Sequence, residues 1–218
     1  PTEDQVDVLN EYDTASREPI AATTVGFVLL AVLTTMIFSG TPALEPILKR
    51  MTKITADAYK LVTTARKPSD NYRVLSLARS SPRTPLVMLA MGEPGLATRV
   101  LSPSQGAVYT YASPNSADGT APGQISARVL CQLYSVDKFS KAARIYGVIA
   151  DPVRHSISPA VHNRSFQSRR IDAVYLPFLV KPPQLKDFFT LAAKMPIAGF
   201  SVTIPHKVAT IQFLDHVE

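Results

Sequence analysis

The spacing of hydrophobic and polar positions changes several times along the chain. Residues 20–40 carry no charged side chain, with Val25, Phe27, Val28, Leu29, Leu30, Val32 and Leu33 at their centre. Such a run is long enough to cross a bilayer as a helix, and it is also the pattern of a strand buried on both faces of a parallel sheet. The pattern alone does not choose. A helical spacing follows: Leu44, Ile47, Leu48 and Met51 share one face of a helix that starts near Thr41-Pro42. Ala58 to Thr64 and Pro85 to Met91 then predict strands, Asp70 to Ala78 a helix, Gly92 to Gly95 a turn with Arg99 beyond it, and Ala107 to Ala112 a further strand. Alternating strands and helices indicate an α/β fold.

The second half repeats the scheme. A β-branched run from Ile145 to Ile149 reaches a turn at Asp151-Pro152, and a helix begins with Ser158 as N-cap and Pro159 in its first position. Ile197 to Ile204 predicts a strand that ends in Pro205-His206-Lys207. Between the halves, Asp137 to Ala143 is short, charged and free of Gly and Pro, so the two parts sit close.

Two places carry candidate chemistry. Lys60 lies inside an otherwise apolar strand, where burial disfavours the ammonium, and lysines so placed form Schiff bases. Ser156 and Ser158 stand one residue apart at a helix start, where hydroxyls, unpaired N–H groups and the positive dipole end suit a carboxylate or a phosphate. Serines at that position also serve as caps alone.

Residues Ala150-Asp151-Pro152, His155-Ser156-Ile157-Ser158-Pro159, His162-Asn163 and Ser201-Val202-Thr203-Ile204-Pro205-His206-Lys207 resemble the substrate-binding domain of shikimate dehydrogenase, with Ala150 for the family's Gly and Ser201 for its Asn. The resemblance implies that Ser156 and Ser158 hold a substrate carboxylate, Thr203 a ring hydroxyl, and that Lys207 is the catalytic lysine. A lysine at the reacting oxygen assists the proton transfer that accompanies hydride transfer. No G-x-G-x-x-G turn occurs, so the family's Rossmann domain is absent from these residues. NADP, the cofactor of the complete family protein, is not expected to bind them.

Upstream, Phe38-Ser39-Gly40-Thr41-Pro42, Lys60, Met91-Gly92-Glu93-Pro94-Gly95-Leu96-Ala97-Thr98-Arg99 and Thr120-Ala121-Pro122-Gly123-Gln124 resemble the last part of type I 3-dehydroquinate dehydratase. By that resemblance Lys60 is the Schiff-base lysine, while Arg99, Thr120 and Gln124 contact substrate. The family's His-Asp pair before Phe-Ser-Gly-Thr-Pro is replaced by Met36 and Ile37, which removes the general base.

The expected fold is α/β: a partial (β/α)8-type barrel over residues 38–136, then an α/β shikimate dehydrogenase substrate-binding domain over 144–218. Residues 1–37 stay unassigned, with 20–40 as a candidate membrane span. The order resembles the bifunctional dehydratase–dehydrogenase of plants, truncated at both ends, and implies a chloroplast location. Two classes of function stay open. One is a shikimate-pathway enzyme piece with little activity alone; the other is a non-catalytic or membrane-tethered protein that holds a ring carboxylate.

Composition narrows this further. A formal charge of +6 and a pI near 9.5 favour anionic small molecules, but no basic cluster with interleaved aromatics supports nucleic acid as a partner. The single cysteine, Cys131, excludes a disulfide framework and is expected to pack inside the helix after Gln124. The four histidines lack metal-ligand spacing.

Overall fold

Two small parallel sheets, each covered by helices, make up the computed structural model, which describes residues 31–114 and 123–217. The first sheet has the order β1 (Val32–Met36), β2 (Ala58–Thr64), β3 (Leu86–Met91). Helix α1 (Glu45–Met51) joins β1 to β2, and α2 (Asp70–Ser80) joins β2 to β3. All six residues of β3 are buried, as a strand covered on both faces requires. One face of the sheet turns Tyr59, Leu61, Leu86, Met88 and Ala90 toward Leu44 at the cap of α1, Leu48 and Met51 within it, and Val74 and Leu77 of α2. The opposite face carries Val62, Leu89 and Met91, with Tyr111 packed on them. Helix α3 (Leu96–Leu101) follows β3 through a 3₁₀ turn at Glu93–Gly95.

The second sheet has the order β5 (Ala173–Leu179), β4 (Arg144–Ala150), β6 (Ile197–Val202), again all parallel. Helices α4 (Ser158–Ser168) and α5 (Leu185–Lys194) make the crossovers. Gly147, at the centre of β4, is required by packing: a Cβ there would lie 2.5 Å from the Phe178 ring and 2.6 Å from the Leu176 carbonyl oxygen.

Helices of the first sheet pack into the core of the second. Leu75 of α2 and Ala97, Val100 and Leu101 of α3 pack with Ile145, Ile149, Leu176, Phe178, Phe188 and Leu191, so the part from Arg144 onward is not an independent layer. Polar contacts cross the same boundary. The Ser69 N–H donates to Asp187 Oδ2 at 2.8 Å and the Ser69 hydroxyl to Oδ1 at 2.6 Å, while Lys67 Nζ lies 3.1 Å from that carboxylate. Gln184 donates to the Arg66 carbonyl at 2.8 Å. Burial alone would raise the Asp187 pKa, but the hydrogen bonds from Ser69 and the Lys67 charge outweigh it and hold the carboxyl below its usual range.

Several local expectations are corrected. Residues 107–112 form no strand: Val108 N–H bonds the Leu86 carbonyl at 2.8 Å, after which the segment lays Tyr111 across the sheet face instead of continuing the ladder. The first helix starts at Glu45 rather than Thr41, because the Thr41 hydroxyl is held by Thr63 Oγ1 (3.1 Å) and the Thr64 carbonyl (3.3 Å). The cap of α4 is Ile157, with Ser158 already the first helical residue. The predicted strand to Ile204 stops at Val202. Cys131 is exposed on a π-helical turn, Val129–Leu133, whose buried position is taken by Leu130.

Of the charge-free run, residues 20–30 lie outside the described residues. The remainder is the half-buried strand β1 and the turn after it. Among the described residues no helix is long and apolar enough to cross a membrane.

Candidate functional site

The carboxyl ends of β4 and β6 open onto a cleft of about 340 Å³ lined by Ala150, Asp151, His155, Ser156, Thr203 and Ile204. Open parallel sheets place ligands at this end of their strands. The ladder continues into both loops and pins them: Thr203 N–H donates to the Ile149 carbonyl and Asp151 N–H to the Ile204 carbonyl, each at 3.2 Å. Buried His206 adds a contact of 2.6 Å between its Nε2 and the Val180 carbonyl, which fixes the 204–207 turn against the end of β5. Ser156 and Thr203, separated by 47 positions, thus stand on the wall of one cleft.

Ser158 and Lys207 do not line that cleft. The Ser158 N–H donates to Ser156 Oγ at 3.3 Å, so the two serines are coupled through the first turn of α4. Lys207 is exposed within a turn. The neighbouring His162 and Asn163 are structural: Asn163 is 2% exposed and exchanges two 2.8 Å hydrogen bonds with the backbone of Tyr175, on which His162 stacks at 4.3 Å. The Tyr175 hydroxyl donates to Ser201 Oγ at 2.9 Å.

In the first sheet, Lys60 is the third of seven residues in β2, in the amino-terminal half rather than at the carboxyl end expected of a barrel site. It lies on the Val62 face, and its Nζ is 3.6 Å from the centre of the Tyr111 ring, a cation–π contact. Tyr111 was not singled out from the sequence, although the Tyr109-Thr110-Tyr111 alternation signals two aromatic groups on one side. The same segment reaches Arg99, whose carbonyl accepts the Thr110 hydroxyl at 3.0 Å. Arg99 sits in α3, beyond the Gly92 to Gly95 turn, and is 1% exposed; burial lowers its pKa to about 10, which leaves it charged at neutral pH. Met36 pairs in register with Val62, two positions beyond the Thr34–Lys60 pair, so a thioether stands on the Lys60 face and can take no proton.

Gln124 lines a second cleft of about 500 Å³, together with Ser156 and the ion pair of Arg154 Nε with Glu93 Oε2 at 2.9 Å. Thr120 lies outside the described residues. The glycine-bounded turn between β3 and α3, Gly92 to Gly95, carries the Glu93 carboxylate, which is paired with Arg154.

Residues 12–141 match the family model described as type I 3-dehydroquinase, and residues 148–218 match the shikimate dehydrogenase substrate binding domain. The first match begins well before Phe38, where the motifs quoted above begin. Over 184 residues the chain is 35% identical to the bifunctional 3-dehydroquinate dehydratase/shikimate dehydrogenase, chloroplastic, of Arabidopsis thaliana, covering 83% of this chain and 30% of that protein. Over 100 residues it is 39% identical to a 3-dehydroquinate dehydratase of Dehalococcoides mccartyi, covering 44% of this chain and 45% of the other. Over 72 residues it is 50% identical to the shikimate dehydrogenase (NADP(+)) of Thermococcus kodakarensis, covering 33% and 26% respectively. The chain spans about a third of the length of the first bifunctional relatives it matches, 30% and 36%.

Proposed function

The chain belongs to the type I 3-dehydroquinase family and continues into a shikimate dehydrogenase substrate binding domain, the arrangement of bifunctional shikimate-pathway proteins, and from that premise we propose that its working site is the cleft at the ends of β4 and β6. This cleft binds a hydroxylated ring carboxylate of the shikimate type. The observation that carries the reading is the convergence of Ser156 and Thr203, from two separate strand ends, on one wall.

In this reading Ser156 and Ser158 receive the carboxylate with the first turn of α4, Thr203 bonds a ring hydroxyl, and Lys207 swings from its exposed turn to move the proton of the reacting hydroxyl. NADP in the relatives supplies the hydride acceptor; residues 1–218 supply the substrate half only. We place the domains at 38–136 and 144–218, the first inside the longer family match over residues 12–141. A plastid is the proposed location, by analogy with the Arabidopsis protein.

We propose further that the dehydratase half retains its imine lysine, Lys60, and substrate contacts at Arg99, Thr120 and Gln124 but turns over little. An imine at Lys60 acidifies the adjacent carbon, yet elimination needs a base, and Met36 offers none. The test is calorimetric titration of the full chain with shikimate. Binding that weakens roughly tenfold in Ser158→Ala supports the reading, since a bond to a charged group is worth about 1.5–3 kcal/mol; unchanged affinity contradicts it.

A further inference from the structure

We propose that a second cavity, at the amino-terminal ends of β4 and β5, binds a small aromatic carboxylate distinct from the substrates of the reaction cleft. The cavity measures about 390 Å³ and lies where Arg144 pairs with Ala173, at the opposite end of the sheet from Ser156 and Thr203. Seven-residue strands separate the two places by roughly 20 Å.

Its chemistry is that of a receptor for a flat anion. Phe139 and Phe166 form apolar walls, and Lys138 and Arg170 stand on the rim. Neither cation forms an ion pair among the described residues. The acid on the wall, Asp172, accepts the Ser140 hydroxyl at 2.5 Å and the Ser140 N–H at 2.9 Å and keeps its negative charge, so against the two cations the lining is left with a net charge of one positive unit. Tyr134, 5% exposed, lines the cavity with its hydroxyl as its polar side-chain group. Burial keeps that hydroxyl in its neutral, donating form.

The backbone gives an independent sign. Among the described residues the two non-glycine positions with positive φ are Ser135 (+50°) and Arg170 (+54°), and both line this cavity. Arg170 closes α4 in a Schellman arrangement, with Ile171 N–H bonded to the Phe166 carbonyl and Arg170 N–H to the Gln167 carbonyl. Glycine takes that conformation without strain, whereas an arginine there keeps a cation at the cavity mouth against a backbone preference. Ser135 follows Tyr134, the cap of the π-helical turn Val129–Leu133, a helix type often found at functional sites. Tyr134 also lines the cleft of Gln124 and Ser156, so the two cavities share one wall residue.

Calorimetry of the full chain with benzoate tests this. The proposal expects saturable binding that shikimate does not displace. It also expects Arg170→Gly to raise the thermal midpoint, by relieving the left-handed backbone, while weakening benzoate roughly three- to tenfold through loss of a partly exposed charge contact. Lys138→Ala reads the same contact should Arg170→Gly not fold. No saturable benzoate binding, competition by shikimate, or unchanged affinity in the rim variants would overturn the proposal.

Discussion

Replacing Asp187 by alanine removes three contacts that tie α5 of the second sheet to the start of α2 under the first: the Ser69 N–H at 2.8 Å, the Ser69 hydroxyl at 2.6 Å and Lys67 at 3.1 Å. Hydrogen bonds to a charged acceptor contribute about 1.5–3 kcal/mol each when buried. The Asp187 side chain is 19% exposed and that of Lys67 is 47% exposed, so solvent screening leaves the ion pair little beyond about 0.5 kcal/mol. Water replaces part of what Ser69 loses. The expected cost of Asp187→Ala is therefore about 2–3 kcal/mol, and of Asp187→Asn, which keeps one acceptor oxygen, about 1–2 kcal/mol. Urea denaturation of the full chain measures both. Combined with Ser69→Ala, the losses should fall short of additive by about 1 kcal/mol. The pH dependence has a fixed sign. The folded-state pKa is lowered, so the stabilisation is fully present above the unfolded value near 3.9 and is lost as pH falls through the folded value. Asp187→Asn should flatten that acid limb. A cost below about 0.5 kcal/mol for Asp187→Ala, or additive losses, would refute the idea that this carboxylate couples the two sheets.

Three further outcomes follow from the packing and the chemistry. Gly147→Ala should destabilise by roughly 1–3 kcal/mol, because its Cβ meets the Phe178 ring and the Leu176 carbonyl; a shift in the urea midpoint checks this. Asn163→Ala should cost about 2–4 kcal/mol, since it strands a buried N–H and carbonyl of Tyr175, and amide exchange at Tyr175 should accelerate. Borohydride trapping of 3-dehydroquinate on Lys60 should give little adduct and no dehydration, because Met36 occupies the place of a base; efficient trapping with turnover would be the contrary result.

Much of the scaffold was legible because its signals are local. The limits of β2, Ala58–Thr64, follow from one apolar run, and those of β3 and β4 fall within a residue of the pattern. The stretch 107–112 has the composition of a strand, yet its ladder stops after Val108 and its tyrosines pack over Lys60, a tertiary outcome that alternation cannot reveal. The packing of α2 and α3 against the second sheet was illegible for the same reason: Ser69 and Asp187, which help tie them, are 118 positions apart, and neither belongs to a motif. At the candidate site Ser156 and Thr203 of the two motifs fall on one cleft, whereas Ser158 and Lys207 do not. The motif could not report that Lys207 lies in an exposed turn, or that Asn163 serves the backbone of Tyr175.

The most direct test of the binding cleft is a crystal structure of the full chain soaked with shikimate. The carboxylate is expected within hydrogen-bond reach of Ser156 and the first turn of α4, with a ring hydroxyl on Thr203. Shikimate density elsewhere, with the cleft at the ends of β4 and β6 empty, would contradict it.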